Sequence, residues 1–184
     1  MIEGPVILSG ILKLLDGQAA AESKVYSQEL KAFAYQAIGQ LAQRAPRLFR
    51  GNVAMAVRLF QALKEVDPSS RFTVQEAVNS LAAAYKDCNE LVSKGLEALL
   101  LENSQVVESE ARFCAVRWAT TLYGLDHCSS RFICMLGAAD IKLDIRVMAH
   151  EGLFPQKQVD RAVNQSSQFV PDNYPPLKEM LDYI

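Results

Sequence analysis

Apolar residues in this chain recur at steps of three and four positions, and one arrangement of them returns about every 40 residues. A basic residue near the start of every second predicted helix, here called the anchor residue, follows this recurrence. The anchor residues Lys31, Arg71, Arg112 and Arg146 are separated by 40, 41 and 34 positions. A two-helix unit of this length is typical of HEAT and armadillo repeats, which bury their apolar faces only by stacking.

The residues that follow each anchor residue repeat as well. Offsets of three, seven and ten positions lie on one face of an α-helix, and a small residue at the third offset lets a neighbouring helix approach closely. We therefore predict a core seam in each unit, although Gln156 replaces leucine at the tenth offset of the last unit. The predicted seam comprises Ala34, Ile38 and Leu41, then Val74, Val78 and Leu81, then Ala115, Ala119 and Leu122, and finally Ala149 and Leu153.

The chain is predicted to be entirely helical, because it lacks paired alternating runs joined by short glycine turns. Eight helices with short connectors fit either a globular bundle or stacked pairs, and the recurrence favours stacking. Proline disfavours helix in the residue before it, so Ala45-Pro46 and Asp67-Pro68 are predicted breaks. The predicted helices are Val6–Leu15, Ser27–Gln43, Asn52–Lys64, Arg71–Tyr85, Asn89–Leu101, Ser109–Tyr123, Ser129–Ala138 and Leu143–Leu153.

These patterns predict an all-α fold, an α-solenoid of about four stacked antiparallel helix pairs of the HEAT or armadillo kind. The repeats are expected to fill residues 1–154. Residues 155–184 accumulate Gln, Asn and Ser and then several prolines, so we predict a linker followed by a short helix, Leu177–Tyr183. The four pairs are expected at residues 5–45, 51–86, 88–124 and 128–154.

Composition excludes several classes of protein. Of the 184 residues 50% are apolar, and 19 basic side chains face 21 acidic ones, for a formal net charge of −2. The apolar content argues against intrinsic disorder, and the near-neutral charge argues against a nucleic-acid partner. Charged residues interrupt every apolar run well short of the ~20 residues that span a membrane, so we expect no direct membrane insertion.

The N-terminal sequence Met-Ile-Glu-Gly-Pro has neither the basic region nor the apolar region of a secretory signal. We therefore expect a reducing compartment, either the cytoplasm alone or the cytoplasm and the nucleus. The four cysteines show neither C-x-x-C spacing nor the density of a disulfide scaffold. We predict free thiols at Cys88, Cys114, Cys128 and Cys134.

The candidates for catalysis are few. Neither His127 nor His150 lies in a recognisable triad, although a small thiol-dependent or metal-dependent enzyme could use His127 with Cys128 or Cys134. Adjacent side chains on a helix or turn point apart, and no fourth ligand at a familiar spacing completes a zinc site. We therefore predict no catalytic, cofactor-binding or metal-ligating residue and no cofactor. In this interpretation His127 begins a helix, Cys134 is buried and His150 lies on the surface.

Trp118 is the chain's one tryptophan, and it follows its anchor residue by six positions, where the other units carry Ala or Gly. Together with Arg112 and Arg117 it could form a platform on which nucleic-acid bases stack. A bulky ring that fills the space between stacked helices is the favoured interpretation.

Three stretches resemble a known family: QAIGQLAQRAPRLF at 36–49, AVRLFQALKEVDPSSRFTVQEA at 56–77 and ARFCAVRWATTLYGLDHCSSRFICMLGAADIKLDIRVMAHEGLF at 111–154. They are similar to the large HEAT-repeat proteasome adaptor and scaffold proteins, particularly to the plant members. The most diagnostic part is SRF at 130–132 followed by LGAAD at 136–140. The similarity extends from about Leu30 to Phe154.

This resemblance implies a non-enzymatic adaptor that binds the 26S proteasome, holds its regulatory and core particles together, and links them to membrane-associated or trafficking machinery. Proteasome subunits are then the expected protein partners. Members of that family are far longer than this chain, so we expect a fragment whose solenoid continues past both ends. The alternative is another HEAT or armadillo adaptor, such as a nuclear-transport or phosphatase scaffold.

Overall fold

A computed structural model describes residues 4–17, 24–124 and 126–154. The chain divides into two compact units, Met1–Leu96 and Glu97–Ile184. The regular elements of the described residues are all helical, which confirms the predicted all-α fold class. In chain order they are α1 (Gly4–Leu15), α2 (Lys24–Arg44), α3 (Ala54–Glu65), α4 (Pro68–Ala82), α5 (Glu90–Asn103), α6 (Ser109–Leu122), α7 (Cys128–Ala138) and α8 (Leu143–Leu153), with 3-10 turns at Pro46–Leu48 and Ala83–Tyr85.

In the first unit, helices that are neighbours in sequence form pairs, and the second helices of the pairs pack on each other. Helix α1 contacts α2, α3 contacts α4, and α2 packs extensively against α4. Two residues connect α3 to α4, so these helices run antiparallel. Gly17, at φ 69°, follows α1 in the left-handed conformation that commonly ends helices. The unit is therefore built from stacked antiparallel pairs, as predicted.

The second unit contains one such pair of neighbouring helices. Helix α7 packs against α8, and α6 contacts both of them. Two glycines make this close approach possible: a Cβ atom added at Gly137 would lie 2.9 Å from Val116 Cγ2, and one added at Gly152 would collide with Thr120. A larger residue at either glycine would push α7 or α8 away from α6.

The observed helices agree with the predicted ones to within a few residues, and Leu143–Leu153 agrees at both ends. The clearest departures are two helix starts, because α2 begins at Lys24 and α4 at Pro68, three residues before the predicted Ser27 and Arg71. Proline suits the first turn of a helix, where its missing N–H has no intrahelical partner and its fixed φ is already helical. The break before α4 is therefore shorter than predicted.

The predicted core seam is buried at two of its three offsets. In all four second helices the residues three and seven positions after the anchor residue are at most 6% exposed. At the tenth offset Leu81 is 0% exposed, whereas Leu41 and Leu122 are only partly buried. Leu122 is the last residue of α6, and Leu41 lies in the final turn of α2, so both sit at the edge of the packed surface. The predicted seam is thus fully buried at Leu81 and only partly buried at Leu41 and Leu122.

The different burial of Leu81 and Leu41 predicts that a leucine-to-alanine substitution destabilises the fold more at Leu81. We expect Leu81→Ala to lower the free energy of unfolding by about 2–5 kcal/mol, because it leaves a cavity in the core. Leu41→Ala, in the same unit, should cost less than half of the value measured for Leu81→Ala, because water already reaches that side chain. Urea unfolding followed by circular dichroism measures both. Equal losses at the two positions would contradict the seam as described.

Three sequence predictions concern residues that lie outside the described ranges. They are the linker, the short helix Leu177–Tyr183 and the Gln156 position. The bounds of the four repeats also stay a prediction. Among the helices that the structure describes, none combines the length and the hydropathy needed to cross a membrane.

Candidate interaction surfaces

The anchor residue of α6 holds the connector that precedes its own helix. Arg112 Nη1 donates hydrogen bonds to the carbonyl oxygens of Val106 and Val107, at 3.0 and 2.6 Å. Its Nε and Nη2 donate to the two carboxylate oxygens of Asp140, at 2.6 and 3.0 Å. The side chains of Arg112 and Asp140 are 13% and 7% exposed. The result is a bidentate, largely buried ion pair.

The other anchor arginines make the same kind of contact. Arg146 Nη1 donates to the carbonyl oxygens of Asp140 and Ile141, at 2.7 and 3.0 Å, and Arg71 Nε donates to that of Val66 at 3.4 Å. In each case the acceptor lies five or six residues before the arginine and belongs to the connector between two helices. In these three helices the recurrent arginine therefore cross-links its helix to the preceding connector.

Asp140 occupies the connector between α7 and α8. Hydrogen bonds from the Arg112 guanidinium hold the pKa of its carboxyl below the usual range, and the Lys142 N–H at 2.8 Å also favours the ionised form. Glu108, four residues before Arg112, is the residue that precedes α6. The ionic partner of Arg112 is instead Asp140, 28 positions later.

An open groove in the first unit lies between α2 and α3 and has a volume of about 980 Å³. Residues at spacings of three and four positions line both sides, so each helix contributes one face. Two of its charged groups have partners: Arg58 forms an ion pair with Asp16, and the Asp67 carboxylate accepts a hydrogen bond from Gln28 Nε2 at 3.4 Å. The lining includes Gln28, Lys31, Ala32 and Tyr35 from α2 and Ala54, Val57, Arg58, Gln61, Ala62 and Glu65 from α3.

Tyr35 lies beneath this groove. The residue is 8% exposed, and its burial is the main cause that raises the pKa of its phenol above the ordinary value. A phenol held in its neutral form neither supplies a base nor carries charge at neutral pH. The α2–α3 groove therefore has a neutral phenol beneath a lining of charged, polar and apolar side chains.

A second and shallower groove, of about 380 Å³, lies between α2 and α4. Both of its walls follow the spacing i, i+3, i+4, i+7, which places each set on one helix face. Glu76 is the one charged residue in the lining; all others are neutral polar or small. The lining comprises Gln36, Gly39, Gln40 and Gln43 from α2 and Thr73, Glu76, Ala77 and Ser80 from α4.

Close contact between the two helices shapes the floor of this α2–α4 groove. A Cβ atom added at Gly39 would lie 3.3 Å from Ser80 Cβ and 3.5 Å from Ala77 Cα. The glycine therefore brings the two backbones together, and small residues form the floor. The longer glutamine side chains of α2 stand at its edge, and Gln43 Nε2 reaches Ser80 Oγ only at 3.5 Å.

His127 lies at the start of α7, as predicted. Its Nδ1 accepts a hydrogen bond from the Ser130 N–H at 3.4 Å, which caps the helix. Its Nε2 lies 3.4 Å from Glu97 Oε1, and its ring stacks on Tyr123 with 4.2 Å between the ring centroids. The second carboxylate oxygen of Glu97 accepts from Ser129 Oγ at 2.9 Å. Both ring nitrogens are thus engaged in holding α7 in place.

The other residues considered for catalysis or base stacking are either buried in the fold or exposed on its surface. Cys134 is 2% exposed, and burial raises the pKa of its thiol to about 11, so it stays protonated at neutral pH and is a poor nucleophile. Trp118 is 0% exposed, which leaves no ring face for a base, and His150 lies on the surface as predicted. The described residues bring together no cluster of three or more His, Cys, Asp or Glu side chains that could hold a metal ion.

Comparison with known proteins identifies the family. Residues 3–137 match the family described as "Proteasome component ECM29, N-terminal". The chain belongs to the ECM29 family. The matched residues include helices α1 to α6 and most of α7, so the family assignment covers both grooves and the connector held by Arg112.

A second comparison agrees with the ECM29 assignment. The "Proteasome adapter and scaffold protein ECM29" of Homo sapiens is 31% identical over 181 residues, which are 98% of this chain and 9% of the human protein. The chain thus spans about a tenth of the length of that relative. No solved structure matches the chain.

Proposed function

We propose that this chain is a non-enzymatic interaction module of an ECM29-type scaffold and that it binds the 26S proteasome through protein–protein contacts. The observation that carries the proposal is the family match over residues 3–137. The human relative is named as an adapter and scaffold of the proteasome. Proteasome subunits are therefore the proposed partners, and the cytoplasm, with or without the nucleus, is the proposed location.

The character of the described surfaces supports a binding role. Two open grooves run between helices of the first unit, and exposed polar side chains line their walls. By contrast, the groups that a thiol or metal enzyme would need serve the fold, since His127 caps a helix and Cys134 is buried. A scaffold uses such extended helical surfaces for recognition without chemistry.

We also propose that the four helix pairs at residues 5–45, 51–86, 88–124 and 128–154 act as the repeats of this module. Residues 155–184 would then form the linker and the short helix that the sequence predicts. Anchor arginines at equivalent places in three of the pairs support this division, because each holds the connector before its helix.

Affinity capture from cell extract distinguishes the proposed partner from the alternative. The tagged chain should enrich subunits of both the regulatory and the core particle, as identified by mass spectrometry, relative to an unrelated helical-repeat protein of similar charge. Enrichment of phosphatase subunits or of nuclear-transport cargo instead of the proteasome would favour the other kind of HEAT adaptor. Recovery of none of these groups by a folded chain would remove the basis of the proposal.

A further inference from the structure

The α2–α4 groove carries hydrogen-bonding capacity that the described protein does not use. Gln36, Gln40 and Gln43 all project from α2, and all three are exposed. Within the described residues Gln36 and Gln40 have no side-chain hydrogen-bond partner, and Gln43 makes only the 3.5 Å contact with Ser80. Three primary amides in a row therefore face the solvent along one groove.

The spacing of these amides matches a short length of extended chain. From Gln36 to Gln43 the helix rises by ~10.5 Å, at ~1.5 Å per residue. An extended peptide advances by ~3.3 Å per residue, so about three of its residues would cover the same distance. The groove volume of about 380 Å³ is also of the size that a few residues fill.

The chemistry of the lining selects the kind of occupant. A primary amide offers both donors and an acceptor, so it can pair with the N–H and the C=O of a peptide group. The floor of Gly39, Ala77 and Ser80 is shallow and offers little apolar surface to a large apolar side chain. Glu76, as the single charge, would favour a basic side chain next to that main chain and would repel phosphate or nucleic acid.

The neighbouring α2–α3 groove fits this role less well, although it is larger. Its ion pair between Arg58 and Asp16 and its contact between Gln28 and Asp67 would have to break before those groups could bind a partner. The amides of Gln36 and Gln40 require no such exchange. Unused donors and acceptors make the α2–α4 groove the better candidate for main-chain recognition.

We propose that the α2–α4 groove binds an extended main-chain segment of a proteasome subunit, through the side-chain amides of Gln36, Gln40 and Gln43. The inference rests on the proposed function, since it names the partner as the proteasome. It goes beyond that function by assigning the contact to one groove and the bound segment to an extended conformation with a basic residue beside Glu76.

The test compares two triple variants of the full chain in binding to purified 26S proteasome. The groove variant is Q36A/Q40A/Q43A, and the control is E90A/K94A/Q105A, which removes three exposed side chains that line neither groove and leaves the net charge unchanged. Alanine favours helix, so circular dichroism should show both variants folded. Each neutral hydrogen bond contributes a factor of roughly two to ten to a binding constant. We expect the groove variant to bind at least about tenfold more weakly and the control to stay within about twofold.

Each outcome bears on a different claim. Failure of the unmodified chain to bind purified 26S proteasome overturns the proposed function, and this inference falls with it. Full binding by the groove variant, or an equal loss in the control, overturns the inference alone. A photo-crosslinking residue at position 40 gives a second readout, which should map to an extended segment of one proteasome subunit. Crosslinks confined to a helix of a subunit, or to RNA, would contradict main-chain recognition.

Discussion

Replacing Trp118 with alanine is expected to lower the free energy of unfolding of the second unit by about 3–5 kcal/mol. The indole is fully buried in α6 and shares the core with Ala115 and Ala119, which are also 0% exposed. Small neighbours cannot move far enough to fill the space that a missing indole leaves. Hydrogen exchange of α6 and urea unfolding followed by circular dichroism both measure the loss.

A matched substitution on the surface of the same unit gives the control for Trp118→Ala. Leu143 is 67% exposed at the start of α8, so Leu143→Ala should change the free energy of unfolding by no more than about 0.5 kcal/mol. The loss of unfolding free energy for Trp118→Phe should lie between those for Trp118→Ala and Leu143→Ala, because the phenyl ring retains part of the buried surface. Similar losses for Trp118→Ala and Leu143→Ala would show that the ring does not lie in the core.

Asp140→Ala is the second change with a large expected effect, a loss of about 3–5 kcal/mol at pH 7. The substitution removes two of the four hydrogen bonds of the Arg112 guanidinium and leaves a largely buried positive charge without its ionic partner. The Lys142 N–H loses its acceptor as well. Urea unfolding of the variant and the parent chain at pH 7 measures the difference.

A double-mutant cycle isolates the contribution of the pair. Arg112→Met combined with Asp140→Ala should cost clearly less than the sum of the two single changes, because the double variant buries no unpaired charge. Asp140→Asn provides an isosteric control that keeps an acceptor but loses the negative charge. Additive effects of Arg112→Met and Asp140→Ala would contradict a direct interaction between the two side chains.

The pKa of Asp140 adds a pH signature to this prediction. The folded-state pKa lies below the ~3.9 of a free aspartate, because Arg112 stabilises the ionised carboxyl. Its stabilising contribution is therefore complete above the unfolded-state pKa and is lost as pH falls through the folded-state pKa. The stability difference between the parent chain and Asp140→Asn should be constant near neutral pH and should shrink below about pH 4. A difference that does not change with pH would exclude this pair as its source.

The sequence predicted the helices well where local signals agree with packing. Helix α8 has apolar residues at helical spacing and a polar connector before it, and both of its ends were predicted correctly. Pro68 was interpreted as a break although it lies in the first turn of α4. Proline has a fixed φ and no N–H, and these properties suit both the end of one helix and the first turn of the next. Whether Pro68 belongs to a break or to α4 therefore depends on how α3 and α4 pack.

The partner of Arg112 could not be predicted from the sequence. Repeat spacing identified Arg112 as an anchor residue, but Asp140 lies 28 positions away and shares no helical register with it. The contact arises only because α6 packs against both α7 and α8, which brings their connector to the arginine. Long-range ion pairs of this kind depend on tertiary packing and leave no local pattern.

One wall of the α2–α4 groove is visible in the sequence as a helical face, but this face is polar and small rather than apolar. Gln36, Gly39, Gln40 and Gln43 follow the same helical spacing as a core face, but with polar and small residues. A scan for uncharged polar faces would have found this stripe on α2. It would not have found the opposite wall, because only the packing of α4 against α2 brings Thr73 and Ser80 to the same groove.

We propose that this chain, which spans 9% of its human relative, binds the proteasome by itself. The most direct measurement is sedimentation of the purified chain with purified 26S proteasome through a glycerol gradient. The chain should migrate with the proteasome peak in a saturable manner, while the chain alone stays near the top. A chain that is helical by circular dichroism but remains at the top in the presence of excess proteasome would contradict the claim.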